Sequence, residues 1–410
     1  MSQGMTPLDC ADPGVVMSRF IPVSVDDLVA HITTHTSWDE VNAGLFSRVC
    51  HLLVALYHAQ FHQNLQNAKR NYLPFSPDRD TLIIQPFTPK QRNQALAEFM
   101  VAIKQILNRA NFEELGVETI NSVLNKKSPY GVEVSADLGE FDEIALFYRD
   151  QEVRTIQQRR WRSAFLKKYD VEVPLYRRLF VLLKPRDKQE GDAELDPIKS
   201  NCVYLKIFKD IPQLDLEMLF PNTRVRMTLF DKIKIGLTGG GGTLSGIAAM
   251  VTKLTAAALT PVTLIIAFGG FAVVIWRQIA NVFSHHNKYM AQLTRNLYFY
   301  NLNNNMGAIV HLIDLAEAED CKEAILAYYF LSSKPSTEFT REMLDKEIEV
   351  YFRKQFGVCL NFEIDDGLRK LTELGLLSTT PEGVLRVPTL QTTLLQLNAR
   401  WDDMYKPSLL

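Results

Sequence analysis

The first third of the chain shows a regular alternation of apolar and polar positions. Between residues 20 and 128 apolar residues recur at spacings of three and four, which predicts amphipathic helices. Ser24 and Ser37 each precede such a run and are typical N-cap residues. Thr88 followed by Pro89 predicts the start of another helix, because proline is tolerated at the first helical position. We therefore predict a helical subdomain over 20–128.

The period changes in residues 129–234. Four segments there are rich in Val, Ile, Leu, Phe and Tyr and are bounded by Gly, Pro and Asp, a composition typical of strands. They predict a small mixed or antiparallel sheet, so the fold class is α+β. The four segments are Val132–Leu138, Asp142–Tyr148, Val173–Leu183 and Cys202–Phe208.

A long uncharged stretch follows the predicted sheet. Leu254–Trp276 contains no charged residue and is long enough to cross a hydrocarbon core of about 30 Å as a helix. Ile235–Thr252 is also uncharged and contains glycine pairs at GxxxG spacing. Only Lys253 separates the two runs, so we predict a transmembrane hairpin over 235–277. A single span by the second run and a buried hairpin in a soluble core remain as alternatives.

Basic residues flank this stretch and predict its topology. Lys232 and Lys234 precede it, while Trp276 and Arg277 close it like an interfacial anchor and a snorkelling cation. Basic flanks are retained in the cytoplasm, so both soluble regions are expected there, with Lys253 near the opposite interface. We expect an integral membrane protein, with the bacterial cytoplasmic membrane favoured and a mitochondrial membrane in a eukaryote. The lipid bilayer is then a partner, and the glycine-rich run is a candidate contact between copies.

The C-terminal third is predicted to be helical again. Residues 284–319 predict a helical connector that includes a helix at Met306–Glu319. Residues 320–390 predict a winged-helix-like module of three helices and a hairpin. Its signals are an apolar run at Cys321–Ser332, caps at Thr340 and Asp365, a helix end at Gly375 and a turn at Pro381–Gly383.

The charges of the third helix in this module argue against DNA binding. The helix begins with Glu363, Asp365 and Asp366, and its cations are Arg369 and Lys370. Recognition helices place donors and cations in their first turns, where they face bases and phosphates. We therefore expect a protein partner for this module and no nucleic-acid binding.

Composition and charge exclude several classes of protein. Lys+Arg number 45 and Asp+Glu 47, so the formal charge is only -2, unlike that of a nucleic-acid coat or an acidic tail. Hydrophobic residues make up 47%, which excludes a disordered chain. The five cysteines are far apart and form no CxxC motif, which predicts reduced thiols.

The candidate chemistry is sparse. His58 and His62 have the i, i+4 spacing of two metal ligands on a helix, but the Glu of an HExxH motif is missing between them. We favour a polar helix face over a metal site. Carboxylates gather in the segment Asp210–Pro221, where capping explains them more simply than acid–base work. We assign no catalytic residue and expect no cofactor.

Two motifs resemble those of an uncharacterised family of membrane proteins, typified in animals by mitochondrial transmembrane protein 143. The first is Tyr204–Arg226, and the second is Leu297–Glu323 with its run of asparagines. The resemblance implies a core with membrane spans and brings no reaction or catalytic residue with it. The matching motif positions, which have no known role, are Asp210, Pro221, Asn303, Asn304 and Asn305.

The predicted function is that of a membrane-anchored scaffold or regulatory protein, with no reaction to assign. One alternative is a membrane-bound enzyme, of the hydrolase type, with a site near Asp210–Pro221. Another is a membrane-tethered nucleic-acid binder that uses the basic segment Arg159–Arg162.

Overall fold

The computed structural model of the protein describes residues 17–35, 38–82, 84–116, 118–120, 132–135, 138–159, 168–186, 201–213, 216, 219–220, 224–227, 276 and 298–404. The helices of this part of the chain are α1 (Val25–His35), α2 (Glu40–Tyr72), α3 (Pro89–Arg109), α4 (Asn305–Ser333), α5 (Arg341–Phe356), α6 (Ile364–Glu373) and α7 (Leu390–Met404). Its strands are β1 (Glu113–Glu114), β2 (Val132–Ser135), β3 (Phe141–Arg159), β4 (Lys168–Pro185), β5 (Tyr204–Pro212), β6 (Arg224–Met227), β7 (Asn301–Asn304), β8 (Ser378–Thr379) and β9 (Leu385–Arg386).

Local capping signals explain where several helices begin and end. Thr88 caps α3 in a capping box, with Pro89 in the first turn. Thr340 caps α5 by accepting a hydrogen bond from the third N–H of the helix. Gly375 follows α6 with a φ of 70°, the left-handed conformation that glycine adopts without a steric penalty. These three predictions from the sequence are confirmed, whereas α2 is capped by Asp39.

The central sheet has five antiparallel strands in the order β1-β3-β4-β5-β7, which confirms the predicted α+β class and selects the antiparallel form from the two predicted, mixed or antiparallel. Strands β3 and β4 pair from Phe141 opposite Pro185 to Arg159 opposite Lys168. Strand β5 accompanies β4 only as far as the pair of Pro212 with Leu175. Beyond this level β3 and β4 continue as a two-stranded ribbon.

The long strands are distorted at one common level. Asp150 in β3 and Asp210 in β5 both have positive φ, 60° and 49°. The register places both opposite Arg177 of β4. Aspartate tolerates the left-handed region better than most side chains, because its short polar group can bond locally. The regular pairing is therefore interrupted at the level of these three residues.

Helices from both ends of the chain share one apolar core on one face of the sheet. Phe46 of α2 stacks on Tyr328 of α4 with ring centroids 6.4 Å apart, and Leu397 of α7 is fully buried in the same cluster. A second cluster covers the other face of the sheet and includes Leu179 and Phe220. Helix α4 thus lies at the centre of the molecule, between the N-terminal helices and the C-terminal elements. The predicted domain boundaries stay a prediction.

Helix α4 is one continuous helix where the sequence predicts two. The predicted helices Met306–Glu319 and Cys321–Ser332 form one continuous helix of 29 residues. After it come α5, α6 and a hairpin in which Ser378 pairs with Arg386. This is the element order predicted for residues 320–390, and its winged-helix character stays a prediction.

The predicted transmembrane hairpin is contradicted. In the part of the chain that the structure describes, no helix combines the length and the apolar character needed to cross a bilayer. The same finding contradicts the predicted membrane localisation. The hairpin segment 235–277 itself lies outside the described residues apart from Trp276, which is exposed, and so do Lys232, Lys234, Lys253 and Arg277.

The prediction of reduced cysteines holds in part. Cys50, Cys202 and Cys321 are free and buried. Cys359 is disulfide-bonded, so the prediction is wrong for this residue. Spacing along the chain gives no access to the spatial proximity that a disulfide needs.

Candidate functional site

The most unusual feature of the core is a group of charged side chains in α4. Glu319, Asp320, Lys322 and Glu323 are all buried, and Lys370 of α6 joins them with only 1% of its surface exposed. An isolated charge in a protein interior costs several kcal/mol, so these groups depend on one another. Together with Arg109 we call them the charge network.

One half of the charge network joins three helices. Lys370 places its Nζ 2.8 Å from Asp320 Oδ1 and also forms an ion pair with Glu323. Arg109 from the end of α3 donates its Nε to Asp320 Oδ2 at 2.8 Å. Its guanidinium also stacks over the Phe61 ring at 4.2 Å. Asp320 is therefore held by cations from α3 and α6 at once.

The other half holds the N-terminal segment of the described chain. Glu319 accepts a hydrogen bond from the Ile21 N–H at 3.2 Å, and Lys322 donates to the Ile21 carbonyl at 2.6 Å. Glu319 and Lys322 also form an ion pair with each other. Asn111 donates to Glu319 at 3.3 Å and to Glu323 at 3.4 Å, which connects the two halves.

Burial and mutual charge set the protonation of the network. Burial raises the pKa of Glu323 to about 7, although Lys370 opposes the shift. Burial lowers the pKa of Lys322, against the pull of Glu319. Burial also acts to lower the pKa of Lys370, but the carboxylates beside it outweigh burial and leave that pKa raised. Lys370 therefore stays charged at neutral pH, whereas the raised pKa of Glu323 lies close to neutrality.

A cleft of about 530 Å³ opens where the network reaches the surface between α2, α3 and α6. Arg109 stands at the network side of the cleft. Arg369 lies across from it and is paired with Asp366 at 2.8 Å and with Glu373 at 3.4 Å. The lining consists of Asn64, Asn67, Ala102, Gln105, Ile106, Asn108, Arg109, Asp366 and Arg369.

The groups in this cleft are suited to recognition by hydrogen bonds. Amide side chains both donate and accept, and guanidinium groups present a planar set of donors. Arg109 uses Nε and Nη2 on Asp320, and its Nη1 donates to no group among the described residues. The cleft lining therefore offers both hydrogen-bond donors and acceptors.

The two histidines proposed as weak metal candidates point to different partners. His58 Nδ1 lies 3.0 Å from Glu317 Oε1, and His62 Nε2 lies 3.3 Å from the Gln66 side-chain nitrogen. Their ring centroids are 6.5 Å apart. Within the described ranges no three His, Cys, Asp or Glu side chains are grouped so that they could hold a metal ion.

Asn305, one of the motif positions of unknown role, connects strand to helix. It begins α4 with a φ of 48° and is almost fully buried. Its Oδ1 accepts the N–H of Leu205 in β5 at 3.1 Å, and its Nδ2 donates to Asp78. Asn303 and Asn304 lie in β7, opposite Ile207 and Lys206 of β5. Pro221 lies outside the described residues, and Asp210 occupies the distorted level of β5.

Sequence reasoning missed the charge network, although one signal was present. In the sequence, the charged residues within the apolar run of α4 indicate that one helix ends and a second begins. The spacing of Glu319 and Lys322, three positions apart, is that of an intrahelical ion pair. Charges at core-facing positions of an apolar helix predict buried partners, but only the fold identifies Arg109 and Lys370 as those partners.

Comparison with known proteins adds a regional similarity. A family model described as Protein of unknown function (DUF3754) matches residues 141–307, from the start of β3 to the first turn of α4. The match covers less than half of the chain. No solved structure matches it. These findings do not link the chain to transmembrane protein 143 or to membrane proteins, so the resemblance is confirmed only in its coarser form, as a domain of unknown function.

Proposed function

We propose that the protein is a regulatory or scaffolding protein that binds a protein partner in the cleft between α2, α3 and α6. The observation that carries this proposal is the composition of the cleft walls, where amide and guanidinium groups predominate. Such groups recognise a partner by hydrogen bonds and contribute no nucleophile. The α6 wall belongs to the C-terminal elements, for which the sequence favours a protein partner.

The position of the titratable groups supports binding over catalysis. Catalytic acids and bases need contact with a substrate and a pKa matched to their task. Glu323 has a pKa of about 7, but it is only 3% exposed and is paired with Lys370 inside the core. Its environment is that of a structural ion pair, and no reaction is assigned to it.

The chemistry of the cleft also indicates what the partner presents. The free Nη1 of Arg109 suits a carboxylate, since guanidinium–carboxylate hydrogen bonds are charge-assisted. The amides of Asn67 and Gln105 suit peptide groups, which they can meet as donor and as acceptor. The partner that fits is a polar peptide segment with at least one acidic side chain.

Site-specific photocrosslinking in cells tests this proposal. A photoreactive residue at Gln105 should yield one discrete protein conjugate, whereas the same residue at the exposed Lys346 of α5 should not. Asn67→Arg, which fills the cleft, should abolish the conjugate. Gln94→Arg, on the exposed face of α3 and outside the cleft lining, is the matched control and should leave the conjugate intact.

Two outcomes would overturn the proposal. One is crosslinking at Gln105 that does not exceed the level at Lys346. The other is a conjugate that persists with Asn67→Arg in place, since its partner would then bind elsewhere.

A further inference from the structure

The helix-facing surface of the sheet changes character along the strands. Phe147 of β3, Phe180 of β4 and Ile207 of β5 are aligned by the strand register and belong to the main apolar core. Side chains two positions further along a strand lie on the same face. The next row on this face is therefore formed by Arg149, Arg178 and Lys209, again aligned by the register. We call these three residues the cation row.

Three adjacent cations on one face of a sheet are unfavourable without a counter-charge. Side chains directly opposite each other in antiparallel strands have Cβ atoms about 5 Å apart, and like charges there are destabilising. Among the residues that the structure describes, no carboxylate oxygen lies within 4.0 Å of a side-chain nitrogen of Arg149, Arg178 or Lys209. The cation row thus differs from the charge network, where each cation has a carboxylate.

Arg149 is the most constrained member of the row. It is 4% exposed, and its guanidinium lies 4.0 Å from the Phe20 ring centroid and 5.3 Å from that of Phe112. Its Nε has no hydrogen-bond partner among the described residues, and its Nη1 reaches only the Ala110 carbonyl at 3.5 Å. A buried guanidinium with unused donors is costly unless a ligand meets them.

A second unsatisfied group lies in α4 near the row. The Nε2 of His311 is buried and has no hydrogen-bond partner in the described chain. Burial lowers the pKa of His311, Arg178 and Arg149 lower it further, and Asp314 opposes the shift. The neutral ring donates from one nitrogen and accepts at the other, so Nε2 can meet an oxyanion in the tautomer that places the proton on it.

The carboxylates whose charges favour the protonated form of Arg149 already have other partners. Glu319 is paired with Lys322, and Asp150 accepts a hydrogen bond from the Ser18 hydroxyl at 2.6 Å. Both favour the charged form of Arg149, although burial outweighs them and lowers its pKa to about 10. Neither neutralises the row at contact distance.

We infer that the cation row, together with His311, is a binding site for an oxyanion of the phosphate class. Guanidinium groups suit phosphate because their donors meet two of its oxygens at once. Lys209 is exposed and lies at the open end of the row, whereas Arg149 lies at its closed end. The site would take a phosphate group either free in solution or carried by a small molecule.

Isothermal titration of the full-length chain with sodium phosphate at neutral pH tests this inference. Phosphate binding should persist when sodium chloride holds the ionic strength constant. Screening of surface charges depends on ionic strength alone and therefore gives no phosphate-specific signal. Glycerol phosphate in a parallel titration distinguishes a free anion from a phosphate monoester. Arg178→Gln should weaken phosphate binding about tenfold, the loss of one charge-assisted hydrogen bond. Lys209→Gln, at an exposed position that does not endanger the fold, should weaken it as well.

The control is Arg186→Gln, which removes the same charge beyond the end of β4, where Arg186 lies 3.4 Å from Asp142. This variant should bind phosphate within about twofold of the parent protein. The inference is overturned if phosphate and glycerol phosphate both fail to bind beyond the chloride control. It is equally overturned if Arg178→Gln and Lys209→Gln bind phosphate as tightly as Arg186→Gln does.

Discussion

Two regions of the molecule arrange their charged side chains in opposite ways. In the charge network three carboxylates meet three cations, and the contacts join α3, α4 and α6. In the cation row three positive side chains stand next to one another without a carboxylate at contact distance in the described chain. The network connects structural elements, whereas the row leaves donors available. Paired charge therefore serves the architecture of this protein, and unpaired charge indicates a place for a ligand.

The largest effect is expected from breaking the charge network at its centre. Lys370→Met leaves Glu323 without its cation and Asp320 with Arg109 alone. The free energy of unfolding should fall by about 3–5 kcal/mol, because a buried partner is left uncompensated. Urea denaturation followed by circular dichroism measures this change. Lys346→Met, at an exposed site, is the control and should change it by less than about 0.5 kcal/mol; a loss below about 1 kcal/mol for Lys370→Met would contradict the structural role.

The next largest effect is the pH dependence of the free energy of unfolding that Glu323 contributes. The pKa of Glu323 is about 7 in the folded protein against an ordinary value of 4.5, so the folded state binds more protons between these limits. Stability should therefore fall as pH rises from about 4.5 to about 7. The contribution is about 3 kcal/mol at most.

Urea midpoints of the parent protein and Glu323→Gln across this pH range measure that contribution. The variant should lose this part of the pH dependence, because glutamine does not titrate. Parallel curves for the two proteins would show that Glu323 does not titrate in this range.

A smaller effect, of opposite sign, is expected in the cation row. In phosphate-free chloride buffer Arg178→Gln should raise the free energy of unfolding by about 0.2–1 kcal/mol, because it removes like charges facing each other across two strand pairs. Added phosphate should stabilise the parent protein more than the variant. Thermal unfolding with and without phosphate shows both effects. Destabilisation of the variant in chloride would contradict this expectation, because it would mean that the contacts of Arg178, such as its hydrogen bond to the Arg177 carbonyl at 2.8 Å, outweigh the repulsion.

The smallest effect is expected for a surface pair that joins α2 to α4. The imidazole of His58 lies beside Glu317 of α4, and the His58 side chain is 70% exposed. His58→Ala should change the free energy of unfolding by less than about 0.5 kcal/mol, as solvent screens such pairs. Guanidinium denaturation is not suitable here, because its salt masks ion pairs, so urea is used. A loss near that of Lys370→Met would remove the contrast between buried and exposed pairs.

The sequence predicts helix ends and strand segments well, because the residues that determine them are neighbours in the chain. Thr88, Thr340 and Gly375 mark helix ends because capping depends on neighbouring residues alone. The strand segments are recognised for the same reason, since β-branched and aromatic residues favour a pleated, half-buried surface. The antiparallel sheet was accordingly one of the predicted forms.

The charge network and the proposed binding sites could not be predicted from the sequence, because they depend on contacts between distant residues. Arg149, Arg178 and Lys209 become neighbours only when the register of three strands is known. The transmembrane prediction used length and the absence of charge, two properties that say nothing about what surrounds a segment. Asn305 was identified only as part of a motif, whereas its left-handed backbone and its bonds to Leu205 and Asp78 explain why asparagine suits that position.

The hydrogen bonds between α4 and the backbone of Ile21 have a consequence for the order of events during synthesis. Lys322 and the Ile21 carbonyl that it binds are 301 residues apart in the chain. At a ribosomal rate of about 5–20 residues per second, about 15–60 s pass between the emergence of the two partners. During that interval the apolar faces of α1, α2 and α3 lack the helix that covers them. These faces therefore stay uncovered until α4 has been synthesised, and the core that they share with α4 can form only after that point.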